Sequence, residues 1–152
     1  MAQARCGRQI LSNEANGLVD WAVFGRARAE LGAGFVRILS YFREDGAKSV
    51  AQIEAAMRSL NAGALVMPAH TLKGESRQFG AEPLADLAEH IEMTARRCVE
   101  MRETPEELIE TVVKLRPMFD ATLALFDKET NPLAARRPAG FGRKPAAFGA
   151  RV

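Results

Sequence analysis

The sequence predicts an all-α protein, an antiparallel four-helix bundle with a short extra helix on its N-terminal side. Alanine fills 26 of the 152 positions, against nine valines and five isoleucines. Alanine has the highest helix propensity, whereas strands favour β-branched residues. Four segments also repeat apolar residues at steps of three and four, which gives each helix one apolar face. A chain of this length forms one domain, in which four such faces can be buried together.

The chain divides into three parts by composition. We expect residues 1–18 to form an N-terminal extension, residues 19–130 the bundle, and residues 131–152, which are rich in proline, glycine and arginine, a flexible tail. At the start of the bundle, the stretch "DWAVFGRARAEL" predicts a short helix with Asp20 as its N-cap. We expect Trp21, Phe24 and Leu31 to face inward, so that this helix covers one end of the bundle.

Each bundle helix is predicted from its own apolar stripe. The spacing of the first stripe continues unchanged across Asp45 and Gly46, so we expect one continuous helix there. Glycine inside a helix costs about 1 kcal/mol relative to alanine, and we expect this helix to tolerate that destabilisation. The four stripes, in chain order, are Phe35, Ile38, Phe42, Val50, Ile53, Met57 and Leu60; Leu65, Ala69, Leu72, Ser76 and Phe79; Leu84, Leu87, Ile91, Thr94, Cys98 and Met101; and Leu108, Val112, Leu115, Phe119, Thr122 and Phe126.

The helix boundaries have their own residue signals. Gly80 is expected to end the second bundle helix, and the third is expected to start near Pro83. The stretch "TPEE" predicts Thr104 as the N-cap of the last helix, with Pro105 at its first position and Glu107 completing a capping box. Pro117, inside that helix, should kink it.

Charge and composition exclude several classes of protein. Five basic residues and no acidic ones follow position 130, which leaves 16 basic against 19 acidic residues in the rest of the chain. A mildly acidic body argues against a nucleic-acid-binding domain. No uncharged apolar run approaches the length of a membrane span, and the N-terminus lacks the apolar core of a signal peptide. Cys6 and Cys98 match no metal or redox spacing, so we expect a reducing, cytoplasmic setting.

One of the two histidines stands in an unusual setting, the stretch "AHTLKGESRQFGA". From the helical period, His70 lies about 140° from the centre of the apolar stripe on its own helix. Lys73 and Gly74 lie on the same outer face as His70, as do Val66, Met67 and Arg77. We therefore expect an exposed histidine with positive charge one turn away and no carboxylate beside it.

This setting favours some roles for His70 over others. A metal site needs further ligands, and His90 has no matching His or Cys pair. A general base normally has a carboxylate that orients it. Phosphorylation of the imidazole agrees with this setting better than a metal site or a general base does. The phosphoryl group adds negative charge that the Lys73 ammonium group can pair with, and Gly74, which has no side chain, leaves the ring accessible. From spacing alone, a solvent-exposed histidine without a special role remains an alternative.

The stretch "AHTLKGESRQFGAEPLADLAEHIE" resembles the signature of histidine-containing phosphotransfer (HPt) domains, intermediates of two-component phosphorelays. The resemblance is strong over residues 65–92 and extends in helix layout from about 20 to 128, while Glu75 and Arg77 stand where small residues are common in the family. The matching residues are Ala69, His70, Leu72, Lys73, Gly74, Ser76, Gly80, Ala81, Leu84, Leu87, Ile91 and Glu92.

The resemblance implies a role for three residues of this stretch. His70 is the expected phosphoacceptor, Lys73 the residue that stabilises the phosphate, and Gly74 the position that leaves clearance for a partner. The expected partners are response-regulator receiver domains and a histidine kinase or hybrid kinase. The chain is then a phosphocarrier and not an enzyme, with no ATP site, no metal site and no cofactor of its own. Mg²⁺ is expected only in the partner receiver domain.

Other expectations are less specific. Val66, Met67 and Arg77 are candidates for partner binding, although Val66 and Met67 could equally be marginal core and Arg77 a solvated side chain. His90 is expected to be a flanking residue and not a second acceptor. We expect a monomer that binds neither nucleic acid nor membrane. The alternative function is a helical-bundle regulator that docks on receiver domains without being phosphorylated, although a degenerate module of that kind would be expected to lose part of the His70–Lys73–Gly74 set.

Overall fold

The computed structural model describes residues 17–131. Within these residues, five α-helices follow one another: α1 (Trp21–Leu31), α2 (Phe35–Arg58), α3 (Ala62–Gln78), α4 (Glu82–Met101) and α5 (Ile109–Thr130). Single 3₁₀ turns at Gly32–Gly34 and Glu106–Leu108 precede α2 and α5. Helices α2 to α5 pack each against the next, and α2 also packs against α5, which closes the four-helix bundle predicted from the sequence.

The bundle core follows the four predicted stripes closely. All five residues of the second stripe and all six assigned to the last helix are buried. Two stripe residues at helix ends are exceptions, because Leu60 and Met101 are 37% and 62% exposed. Helix α2 ends at Arg58, so Leu60 lies in the turn that follows, and Met101 is the last residue of α4. The predictions that these two residues face the core were wrong.

Helix α2 runs without interruption through Asp45 and Gly46, as predicted. Gly46 is nevertheless more than a tolerated glycine. A Cβ atom built at this position would lie 2.5 Å from Cε2 of Phe119 on α5, closer than real Cβ contacts come. The absence of a side chain at position 46 therefore lets the Phe119 ring pack directly against the α2 backbone.

Helix α1 covers the end of the bundle where α3 ends and α2 begins. The Asp20 side chain caps α1 by accepting hydrogen bonds from the backbone N–H groups of Ala22 and Val23. Phe24 is buried, with its ring centroid 5.2 Å from that of Phe35 and 5.0 Å from that of Phe126. Trp21 and Leu31 are only partly covered, so the helix faces inward mainly through Phe24.

The connection between α3 and α4 is short and is fixed by Gly80. This residue has a φ of 79°, and a Cβ atom there would lie 2.5 Å from the carbonyl oxygen of Asp20. The Gly80 carbonyl in turn accepts a hydrogen bond from the Asp20 N–H at 2.8 Å. Helix α4 then starts at Glu82, with Pro83 in its first turn, as the sequence predicted. The tight turn lays α3 and α4 side by side in antiparallel orientation, which positions the site described below.

The start of the last helix differs from the sequence prediction. Thr104 does not cap it, because its hydroxyl contacts the Glu106 carboxylate and α5 begins only at Ile109, after a 3₁₀ turn. Glu107 pairs with Arg97 of α4 instead of completing a capping box. Helix α5 continues through Pro117, and the kink expected there stays a prediction. The expectations for Cys6 and for the tail beyond Asn131 lie outside the described residues.

Among residues 17–131, no helix is long and apolar enough to cross a membrane.

Candidate functional site

Helix α3 presents His70 at the middle of the bundle. Asn61 caps the helix by accepting a hydrogen bond from the Ala64 N–H at 3.1 Å. Ala69 and Leu72, which flank the histidine in the sequence, are completely buried, so the helix is fixed in rotation about its axis. The His70 side chain is 53% exposed. The predicted outward direction of His70 is therefore confirmed.

Pro68 is a feature of α3 that sequence reasoning did not use. It lies inside the helix, two residues before His70, and is buried. Proline has no backbone N–H, so the carbonyl of Ala64 lacks its usual partner one turn later. Helix α3 stays continuous, but it lacks this one backbone hydrogen bond in the turn before His70.

A carboxylate lies beside His70, contrary to the sequence prediction. Oε1 of Glu92, on α4, is 2.9 Å from Nδ1 of His70. The prediction considered only the neighbours of His70 on its own helix, whereas Glu92 approaches across the α3–α4 interface. The Glu92 side chain is only 4% exposed, so this contact is made at the base of the imidazole, where the ring meets the bundle.

Glu92 is surrounded by three cationic or potentially cationic side chains. Besides His70, Nζ of Lys73 lies 2.7 Å from Oε2 of Glu92. Arg96, one turn along α4, donates from Nη2 and Nε to Oε1 of Glu92 at 3.0 and 3.2 Å. Burial alone would raise the pKa of Glu92, but the contacts from Lys73, Arg96 and His70 outweigh it and lower the pKa to about 2.

The ionised state of Glu92 fixes the tautomer of His70. A carboxylate with a pKa near 2 is ionised at neutral pH and can only accept hydrogen bonds. Nδ1 of His70 must then carry the proton that Glu92 accepts. In the neutral imidazole, Nε2 is consequently the nitrogen with the lone pair. The contact thus orients the ring and leaves Nε2 as its nucleophilic atom.

Lys73 and Gly74 lie on the same outer face of α3 as His70, and their roles stay predictions. Lys73 is largely covered, with 18% of its side chain exposed, and it reaches Glu92 from the same helix face as His70. Gly74 is exposed, and a Cβ atom built on it would meet nothing within 4 Å. Within the part of the chain that the structure describes, no packing requires glycine at position 74. This position therefore differs from Gly46, where the neighbouring ring leaves no room.

The three candidates for partner binding differ in their exposure and in their contacts. Met67 is 63% exposed and lines a shallow groove between α2 and α3. Val66 is partly buried and packs against the core, and Arg77 pairs with Glu89 of α4 at 2.9 Å. Met67 keeps the exposure that docking needs, whereas Val66 contributes mainly to packing. The partner-binding role of all three stays a prediction.

Glu75 lines the same groove as Met67, together with Asp45 and Lys48 of α2. Burial and the nearby charge of Asp45 raise the pKa of Glu75. Its Oε2 atom is buried without a hydrogen-bond donor. The groove therefore contains a carboxylate that forms no ion pair within residues 17–131, whereas Glu92 pairs with Lys73 at Oε2 and with His70 and Arg96 at Oε1.

The remaining candidate residues lie apart from the site. His90 is exposed on α4. Cys98 is buried, with its Sγ atom 3.9 Å from the Thr104 carbonyl oxygen. Within residues 17–131, no group of three or more His, Cys, Asp or Glu side chains is arranged to hold a metal ion.

The fold and site define a class of protein, a four-helix bundle that exposes one oriented histidine with a lysine one turn away. The family model for the Hpt domain matches residues 37–124, more than half of the chain. The chain therefore belongs to the Hpt domain family. The structure is similar to that of histidine-containing phosphotransfer protein B (HptB) from Pseudomonas aeruginosa PAO1, with a TM-score of 0.64 and 25% sequence identity over 74% of this chain and 93% of that chain. No curated protein matches the sequence.

Proposed function

We propose that this chain is a phosphocarrier in which His70 accepts a phosphoryl group from a receiver-domain aspartate and passes it to another. The observation that carries the proposal is the contact between Nδ1 of His70 and Glu92, at 2.9 Å. It holds an exposed imidazole with Nε2 as the nucleophile. Membership of the Hpt family supports the same function at the level of phosphorelay signalling.

The proposed transfer step uses Nε2 of His70 as the nucleophile and the receiver aspartate as the leaving group. The lone pair of Nε2 attacks the phosphorus of the aspartyl phosphate, the P–O bond to the partner breaks, and the aspartate leaves as a carboxylate. The proton on Nδ1 stays with the ring, and Glu92 stabilises the positive charge that the imidazole gains. Lys73, which lies on the same side of the helix, can turn its ammonium group toward the phosphoryl oxygens.

The partner supplies the rest of the reaction in this proposal. A phosphoryl group in transfer needs a cation that neutralises its oxygens, and we expect this to be Mg²⁺ bound by the acidic residues of the receiver domain. The histidine then needs to be accessible and correctly oriented, and it needs no pocket. We expect the chain to act as a cytoplasmic monomer that meets receiver domains and a histidine or hybrid kinase in turn.

Phosphotransfer from a set of phosphorylated receiver domains tests the proposal. We expect a cognate receiver to label the chain, and the label to be acid-labile and base-stable, as a phosphoramidate is. His70→Gln should abolish labelling, whereas His90→Gln, the matched change at the exposed histidine of α4, should leave it unchanged. Labelling that persists in the His70 variant contradicts the assignment. Binding to receivers without any labelling supports the unphosphorylated regulator instead.

A further inference from the structure

Arg96 is the one cation at Glu92 that the transfer step described above does not use. Its guanidinium group makes two contacts with Oε1 of Glu92, at 3.0 and 3.2 Å. An exposed ion pair between residues four apart on a helix normally contributes little. This pair differs because its acidic member is 4% exposed.

Phosphorylation changes the charge balance around Glu92. A phosphoryl group brings a charge of about −1.5 to −2 to the histidine that Glu92 already contacts. When Lys73 turns toward the phosphoryl oxygens, Glu92 loses its contact at Oε2. A buried carboxylate that loses a partner is costly unless another cation stays with it. Arg96 does not contact the reacting atoms, so it can keep its contact with Glu92 during transfer.

We propose that Arg96 is a positioning residue for phosphotransfer, which holds the Glu92 carboxylate so that Lys73 can leave it for the phosphoryl group. The inference rests on the proposed function of His70. Arg96 itself touches neither the reacting Nε2 nor the incoming phosphorus. The bonds formed and broken are those of the transfer step, and the Nδ1 proton remains between His70 and Glu92 throughout.

Removal of the Arg96 charge should therefore affect the chemical step and not docking. In Arg96→Gln, Lys73 is the main cation left at Glu92 and is held there more firmly. We expect the maximal single-turnover rate from a phosphorylated receiver to fall by about tenfold, comparable to the loss of one hydrogen bond to a charged group. The receiver concentration that gives half of the maximal rate should stay unchanged.

Three further variants isolate the effect. Arg96→Lys keeps the charge and should restore most of the rate. Arg97→Gln is the matched control, because the neighbouring Arg97 pairs with Glu107 and not with Glu92. In a Glu92→Gln background there is no buried charge to hold, so Arg96→Gln should have no further effect. Melting curves of all variants show whether the bundle remains folded.

A second measurement does not depend on a receiver domain. The small-molecule donor phosphoramidate can phosphorylate histidine directly, and the lifetime of the label on His70 can then be followed. We expect the label to be lost several times faster in Arg96→Gln than in the wild type or in Arg97→Gln. In Arg96→Gln the Lys73 ammonium group stays with Glu92 and stabilises the phosphoryl oxygens for a smaller fraction of the time.

The outcomes separate this inference from the proposed function. If the wild type is labelled by no receiver, the proposed function fails, while the lifetime of the phosphoramidate label still tests Arg96. The role of Arg96 is overturned if Arg96→Gln keeps the wild-type rate and lifetime. It is also overturned if only the half-saturating receiver concentration changes, which indicates a docking contact, or if the same loss appears in the Glu92→Gln background.

Discussion

Nδ1 of His70 and Oε1 of Glu92 lie 2.9 Å apart, across the interface between two antiparallel helices and 22 positions apart in the sequence. One partner is half exposed and the other is buried. The bundle therefore holds the imidazole at Nδ1, while the exposed side of the ring is accessible to a partner. The arrangement gives a fixed orientation to a side chain that would otherwise rotate freely on a helix surface.

Gly74 should matter for transfer and not for folding. Apart from its two neighbours in the chain and the backbone of its own helix, nothing among residues 17–131 lies within 4 Å of a Cβ built at this position, so both Gly74→Ala and Gly74→Gln should stabilise α3, by up to about 1 kcal/mol. In the proposed transfer, a side chain there would lie beside His70, on the face that the receiver approaches. We expect Gly74→Gln to transfer far more slowly than the wild type, with Gly74→Ala between them. Melting curves and single-turnover transfer on the same proteins check this, and a stable, fully active Gly74→Gln variant refutes the clearance role.

Gly46 should show the opposite behaviour. Gly46→Ala places a Cβ atom against the buried ring of Phe119, so we expect destabilisation by about 1–3 kcal/mol, as in other overpacked cores. Gly25→Ala in α1 is the matched control, because nothing lies within 4 Å of a Cβ there and the change should be stabilising. Chemical denaturation measures both variants. Equal stabilisation by the two changes means that Phe119 moves away without cost.

Glu75 should make stability depend on pH in a definite direction. Its pKa is raised in the folded protein by burial and by Asp45, so the folded state holds this proton more tightly than the unfolded chain. The tighter proton binding contributes to the free energy of unfolding, and this contribution is complete below the ordinary pKa of a glutamate side chain. It is lost as the pH rises through the raised pKa of Glu75 in the folded protein. Glu75→Gln should therefore be more stable than the wild type at neutral pH, with little difference in acid.

Denaturation at several pH values tests the Glu75 prediction. Glu100→Gln, at an exposed position of α4, serves as the control and should show no such pH-dependent gain. A Glu75→Gln variant that loses stability at neutral pH means that the Glu75 carboxylate has a compensating partner in solution.

Much of the fold could be predicted from the sequence, because a helix in a bundle buries one face whose residues recur at regular steps. The stripe from Leu65 to Phe79 therefore identified both the core and the outward direction of His70. The cap at Asp20 and the turn at Gly80 were also predictable, since each depends on a local backbone geometry.

The electrostatics of the site could not be predicted in the same way. The contact between His70 and Glu92 depends on the register of two helices, which the period of either helix alone does not determine. Glu92 was part of the family resemblance without an assigned role, and its spacing from Arg96 was a visible i, i+4 pair. Thr104 was misassigned as a cap because a 3₁₀ turn and a side-chain contact with Glu106 compete with capping at that position.

The position of the phosphoryl group on the imidazole tests the central claim most directly. The chain, labelled with ¹⁵N and phosphorylated by a receiver domain, can be observed by long-range ¹H–¹⁵N NMR, which distinguishes the two ring nitrogens. Because Glu92 occupies Nδ1, we predict a single phosphohistidine at residue 70 with the phosphorus bonded to Nε2. A phosphorus bonded to Nδ1 of His70, or to His90, contradicts the account.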